Sequence, residues 1–175
     1  MADQTYVAIA AQYASEDDAV AEFDRVREQY KGTGKHEGFD AAVVVRDQEG
    51  KVSIPERADG AKHHGGRKGV AIGLAGGLVV ALFPAVAIGG ALLAGGAAGG
   101  GIGAIAGHLR NKSSAEDLKK IAETLSAGSA GIVIVATPAD ADEVEKQLTN
   151  ASSVTRKDLA VDDETLDKEV EDAAK

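Results

Sequence analysis

The longest uncharged stretch of the chain constrains its fold more than any other feature. From residue 69 to residue 107 no side chain is charged or polar, and 13 of these 39 residues are glycine. A domain of 175 residues has no interior large enough to enclose such a stretch in one piece. A membrane span needs about 20 apolar residues, so the stretch is long enough for two short helices. We expect a Gly- and Ala-rich hydrophobic helical hairpin in residues 61–112.

Glycines within this stretch recur at every fourth position. Four-residue spacing places them along one helix face, and a face without side chains lets another backbone approach closely. In water each glycine would weaken a helix by about 1 kcal/mol relative to alanine, so the pattern is typical of helices packed away from water. The candidate helix-packing and oligomerisation residues are Gly69, Gly73, Gly77, Gly95, Gly99, Gly103 and Gly107.

The bend of the hairpin has two candidate positions. Phe83-Pro84 lies near the middle of the stretch, where proline interrupts a helix. Gly89-Gly90 offers a second turn. Both positions stay open. The second glycine pattern is preceded in phase by Ala87, and the second helix is expected to carry Leu92 and Leu93.

Basic residues flank the apolar stretch on both sides. Cations at both ends of an apolar hairpin indicate that both ends face the cytoplasm. The N-terminus has no signal-peptide pattern, so we expect a cytoplasmic α/β domain at the cell membrane. Because residues 69–83 span only about 22 Å as a helix, a re-entrant hairpin, or one buried in a cytoplasmic assembly, remains an alternative. The flanking basic residues are Lys62, Arg67, Lys68, Arg110 and Lys112.

The remaining sequence predicts the two halves of an α/β domain. In residues 1–60, a strand from Tyr6 to Tyr13, a helix capped by Ser15 and a strand over residues 39–45 precede a hairpin partner at 51–54. In residues 113–160, Ser114 caps a helix, residues 131–136 form a strand, Asp140 caps a third helix and residues 153–159 form the last strand. Residues 161–175 are an acidic tail.

Two such halves predict an α+β fold, a ferredoxin-like α/β sandwich with its helices on one face of the sheet. The strands carry few large side chains, so the open face is a candidate dimer surface. The hairpin is expected as an insertion between the halves.

Composition excludes several functions. The formal net charge of −9 argues against nucleic-acid binding, and the absence of cysteine excludes disulfides and thiolate chemistry. Residues 101–106 formally fit a dinucleotide fingerprint, but they follow no strand, so helix packing explains them better. The histidines lack further ligands at metal-binding spacing, so no cofactor or metal is predicted. They are His36, His63, His64 and His108.

With these elements, the sequence resembles a family of small, uncharacterised bacterial membrane proteins classed under a domain of unknown function. The resemblance rests on Gly69 to Leu82, on Gly95 to Gly107, and on residues 125–130 running into the strand Ile132-Val133-Ile134-Val135. It extends from about Tyr6 to Leu159. It implies membrane association and a stress-related role, and no activity.

The sequence therefore predicts a non-enzymatic, self-associating, membrane-anchored protein whose hairpins pack into a homo-oligomer. Its expected partners are further copies of itself and a lipid membrane, with no nucleic acid. A soluble self-assembling protein with hairpins buried between subunits is the alternative. A haem-binding or oxidoreductase dimeric ferredoxin-like protein is the enzymatic alternative, although no histidine is predicted to line such a pocket.

Overall fold

A computed structural model describes residues 4–33, 39–49, 51–58, 74–83, 85–88, 91–94, 107–111, 113–125 and 129–161 of the chain. The first elements are β1 (Gln4–Tyr13), α1 (Glu16–Thr33), β2 (Phe39–Arg46) and β3 (Val52–Ala58). The apolar stretch contributes α2 (Leu74–Leu82), β4 (Ala85–Ile88) and β5 (Ala91–Ala94). A helical turn at 107–111 precedes α3 (Ala115–Thr124), β6 (Ser129–Ala136), α4 (Pro138–Gln147) and β7 (Ser153–Val161).

The strands form a seven-stranded sheet in the order β5-β4-β3-β2-β6-β1-β7. All neighbours from β3 to β7 are antiparallel, whereas β4 pairs with β3 in parallel and β5 returns antiparallel to β4. The predicted α+β class is therefore confirmed.

Helices cover both faces of the sheet, so the expectation of one open face is wrong. α1 and α4 pack on one face, and α2, the turn at 107–111 and α3 pack on the other. The physical reason lies in the central strands. In β6, Ile132 and Ile134 are buried on the first face and Val133 and Val135 on the second. A strand that is apolar on both sides requires cover on both sides.

Two of the three predicted helix caps are confirmed. The backbone N–H of Asp18 donates to Ser15 Oγ at 3.2 Å, and that of Asp117 donates to Ser114 Oγ at 3.4 Å. The prediction for α4 is wrong, because Thr137 is its N-cap and accepts from the backbone N–H of Asp140 at 3.4 Å. The proline that follows Thr137 is favoured in the first helical position, which moves the cap three residues upstream of the predicted one.

Within the apolar stretch the structure differs from the predicted pair of helices. α2 agrees with the first helix, but residues 85–88 and 91–94 are strands, so Ala87, Leu92 and Leu93 do not belong to a second helix. Pro84 cannot continue α2, and the two glycines between β4 and β5 suit a two-residue hairpin connection. Residues 95–106, the main part of the predicted second helix, lie outside the described residues.

Candidate association site

The first described part of the apolar stretch, α2, lies in the core of the domain. Ala75, Leu78 and Val79 of α2 are at most 1% exposed and belong to one buried cluster with Tyr6 of β1 and Val44 of β2. Their spacing of three and four residues places them on one helix face. Burying a leucine or valine side chain contributes about 1.5–3 kcal/mol, so this docking is a substantial part of the stability of the second face.

Arg46 contacts both the end of α2 and the end of α3. Its Nη1 donates to the backbone oxygen of Leu125 at 3.1 Å, and its guanidinium carbon lies 5.3 Å from the centroid of the Phe83 ring. Phe83 is buried and directly follows α2. A cation–π contact of this kind contributes about 0.5–2 kcal/mol. Through Arg46, β2 therefore holds the end of α2 that leads into the segment 84–106.

Arg110 holds the other end of the same segment. Its Nε donates to the backbone oxygen of Ala81 at 3.1 Å, across 29 positions of sequence. Ala81 lies in the last turn of α2 and Arg110 lies in the turn at 107–111. The residues on either side of the segment 84–106 therefore lie together at one place on the domain. We call this place the clasp, defined by Arg46, Ala81, Phe83 and Arg110.

The structure places three of the twelve predicted site residues. Gly77 lies in α2, the exposed Arg110 belongs to the clasp, and Gly107 starts the turn beside it. A Cβ added at Gly107 would meet no atom within 4 Å, so this position has open space within a single chain. The others lie outside the described residues: Gly69, Gly73, Gly95, Gly99, Gly103, Lys62, Arg67, Lys68 and Lys112.

The two ends of the sheet differ in charge. On the terminal strand β7, Arg156 Nη1 contacts Asp142 at 2.6 Å and Glu145 at 2.9 Å, both on α4. The hydrogen bonds that the guanidinium donates to these carboxylates, first of all to Asp142, raise the pKa of Arg156. Lys157 Nζ lies 3.8 Å from Asp117 of α3. The other terminal strand, β5, contains only alanine and leucine. Charged residues protect a sheet edge against pairing with another chain, and β5 has none.

A buried carboxylate network on the first face was not predicted from the sequence. Glu22 of α1 is 1% exposed, and its Oε1 accepts from Arg25 Nη2 at 2.6 Å, from the backbone N–H of Thr149 at 2.9 Å and from that of Asn150 at 3.1 Å. Its Oε2 accepts from the hydroxyl of Tyr13. Burial, and then the contact with Glu22, raises the pKa of Tyr13. The network joins α1, β1 and the α4–β7 connection, which is a structural role.

A cleft of about 230 Å³ lies beside the start of α1 and the β2–β3 turn. Two of its polar side chains, those of Ser15 and Asp47, have local partners. Ser15 Oγ accepts from the backbone N–H of Asp18, and Asp47 Oδ1 accepts from the backbone N–H groups of Glu49 at 3.0 Å and Lys51 at 2.8 Å. Sites for small molecules usually measure about 300–1,000 Å³. The cleft therefore belongs to a turn and a helix cap.

Metal-ligating side chains do not converge in the part of the chain that the structure describes. Within the ranges given above, no group of three or more histidines and carboxylates could hold a metal ion. His108 is buried in the turn at 107–111, and the other three histidines lie outside the described residues.

No helix in the part of the chain that the structure describes has both the length and the apolar character needed to cross a bilayer.

The fold and the clasp define an α+β protein that holds both ends of an apolar, glycine-rich segment at one place. The chain belongs to the family described as protein of unknown function (DUF1269), which matches residues 67–171. The resemblance to a family of unknown function, which the sequence predicted, is confirmed. None of the curated proteins and none of the solved structures matches the chain.

Proposed function

We propose that the protein is a non-enzymatic, self-associating structural protein whose glycine-rich segment packs between copies of the chain. The clasp carries this proposal, because Arg110 bound to the carbonyl of Ala81 brings the two ends of residues 84–106 together. The segment itself has no charged or polar side chain, so contact with water is unfavourable for much of its length. Other copies of the same segment would remove it from water through close backbone packing.

Membrane anchoring is the first setting in which this association would operate. Arg110 is exposed at the end of the segment, and Lys62, Arg67, Lys68 and Lys112 flank it in sequence. Cations beside an apolar segment favour the headgroup region of a membrane, with the acidic domain in the cytoplasm. The membrane nature, the glycine packing and the stress-related role implied by the resemblance all belong to this proposal.

A soluble assembly is the second setting, and the docking of α2 favours it. Ala75, Leu78 and Val79 are covered by the sheet of their own domain, so this part of the apolar stretch needs no lipid. In this setting residues 95–106 would be covered by neighbouring subunits instead.

The core of the sheet supports a ferredoxin-like assignment within the α+β class. The strands β7, β1, β6 and β2 are neighbours in that order, α1 connects β1 to β2, and α4 connects β6 to β7. On this assignment, everything from β3 to α3 is an insertion between β2 and β6. The insertion carries the clasp and the glycine-rich segment.

Extraction of cell membranes with carbonate and then with detergent separates the two settings, with particle size measured on each fraction. Membrane anchoring predicts that the protein resists carbonate and enters detergent as an oligomer. The soluble setting predicts release without detergent as a large particle. A monomer in both fractions would contradict self-association itself.

Substitution of the packing glycines tests the proposal by residue. Gly99→Leu, Gly103→Leu and Gly107→Leu should each reduce particle size while the domain keeps its circular dichroism spectrum. Gly107→Leu is the sharpest of the three, because a Cβ at this position meets no atom of its own chain within 4 Å. Val154→Leu adds apolar area at an exposed position of β7 and serves as the control. Unchanged particle size in all three glycine variants would overturn the packing claim.

A further inference from the structure

Among the described strands, the sheet ends in β7 and β5, and only β7 carries charged side chains that protect an edge against pairing with another chain. β7 carries Arg156 and Lys157, which form ion pairs to the helices on either face. β5 (Ala91–Ala94) has no charged residue and no proline, and the nearest charged residue after it in sequence is Arg110. An apolar edge strand without such protection is a template for a further strand.

The pairing of β4 with β5 shows which backbone groups this edge offers. Ile88 pairs with Ala91, and two residues connect them. In a two-residue hairpin the closing pair is hydrogen-bonded, and hydrogen-bonded and non-hydrogen-bonded pairs then alternate. Ala87 with Leu92 is therefore a non-hydrogen-bonded pair, as is the pair of Ala94. The backbone N–H and C=O groups of Leu92 and Ala94 are thus directed away from β4, on the side of β5 where no other described strand pairs.

We infer that β5 pairs antiparallel with β5 of a second copy, joining the two sheets about a two-fold axis. This inference rests on the proposed self-association and names the surface that begins it. The occupant is another copy, because the proposed self-association needs a surface at which two like-charged chains can meet. Each chain carries a formal net charge of −9, so two copies repel each other wherever their charged surfaces meet. Residues 84–107 carry no charge, and there the two chains approach without this cost.

A basic partner would instead be drawn to the acidic surface of the domain, away from β5. In the two-fold arrangement both strands offer the same backbone donors and acceptors to each other. Leu92 and Ala94 each supply one donor and one acceptor, and the partner strand supplies the same set.

Single-cysteine cross-linking tests the pairing directly, because the chain contains no cysteine of its own. Cysteine is placed singly at Ala91, Leu92, Leu93 and Ala94, and the full-length proteins are oxidised. Antiparallel pairing about a two-fold axis sets one residue opposite its own copy, within the reach of a disulfide. We expect rapid dimer formation for Leu92→Cys or Leu93→Cys. Val154→Cys, at an exposed position of the other terminal strand, should form dimers at least about tenfold more slowly.

A charge variant measures the strength of the pairing. Leu92→Lys should raise the dissociation constant from sedimentation at least about tenfold, because the two-fold axis places two added cations at one interface. Val154→Lys adds the same charge on β7 and should leave the constant unchanged.

The outcomes separate this inference from the proposed function. If no cysteine on β5 cross-links faster than Val154→Cys while Gly99→Leu dissolves the assembly, the β5 pairing is overturned and self-association stands. If the unsubstituted chain sediments as a monomer at all concentrations, both are overturned. Cross-linking at Leu92 or Leu93 together with a weakened Leu92→Lys assembly supports the pairing.

Discussion

Gly131 in β6 is a position where a single added methyl group should lower the stability of the domain. Its strand lies between β1 and β2, and Leu125 covers it from the second face. A Cβ added there would overlap Leu125 Cδ2 and would lie 2.6 Å from the backbone oxygen of Ala11. The leucine side chain can rotate away, but the Ala11 carbonyl belongs to a strand that is paired on both sides.

The cost of Gly131→Ala follows from these contacts. Overpacking a tight core costs about 1–3 kcal/mol, and an obstructing backbone atom places this case toward the upper end. The backbone at Gly131 is not in the left-handed region, so alanine returns about 0.4–1 kcal/mol by restricting the unfolded chain. We expect a net loss of about 1–2.5 kcal/mol. Urea unfolding followed by circular dichroism measures it as a lower midpoint at an unchanged slope.

Gly107→Ala is the matched control when both variants are unfolded as dissociated chains, because it makes the same chemical change where a Cβ meets no atom of its own chain within 4 Å. In the helical turn at 107–111 it should be neutral or stabilise by up to about 1 kcal/mol. Equal midpoints for the two variants would refute the packing of Gly131 against β1.

Three further changes test the networks around the two faces. Glu22→Gln should destabilise the domain by about 1–3 kcal/mol, because Oε1 of Glu22 accepts several hydrogen bonds in a buried site. Asp24→Asn, at a half-exposed carboxylate, is the control and should change stability by less than about 0.5 kcal/mol in the same urea assay. The raised pKa of Tyr13 keeps its hydroxyl protonated in the folded state while the unfolded chain ionises near pH 10, so its contribution to stability is present below that pH and is lost as the pH rises further. Unfolding between pH 9 and pH 11.5 should therefore show a steeper loss for the unsubstituted chain than for Tyr13→Phe, and parallel curves would contradict this. Arg46→Ala should cost about 1–2 kcal/mol by removing the hydrogen bond to α3 and the contact with Phe83, and Arg46→Lys should recover only part of it in thermal unfolding.

Features set by local sequence were predictable. The apolar run of β1, the cap at Ser15 and the cap at Ser114 depend on residues within a few positions of each other. Local hydrogen bonds and side-chain periodicity are therefore sufficient to place these elements. The cap of α4 shows the limit, because Thr137 and Asp140 both suit a cap and the position of the proline decides between them.

Features set by distant partners were not predictable. Glu22 sits on a helix among charged residues, where a carboxylate normally faces water, and its backbone partner Thr149 is 127 positions away. Nothing in the local pattern indicates that contact. The docking of α2 depends in the same way on the second face of β6, although the apolar run of that strand on both sides is a signal that could have indicated it. Gly131, the one glycine within the β-branched run of β6, likewise signals a close approach.

The central claim is that the glycine-rich segment is removed from water by other copies of the chain. Hydrogen exchange of the backbone amides of residues 95–107, measured in the native protein at a concentration where it is assembled, tests this claim most directly. We predict exchange at least about 100-fold slower than in an unstructured peptide, with the protection lost when dilution dissociates the particles. Exchange at the rate of an unstructured peptide in the assembled protein would contradict the account.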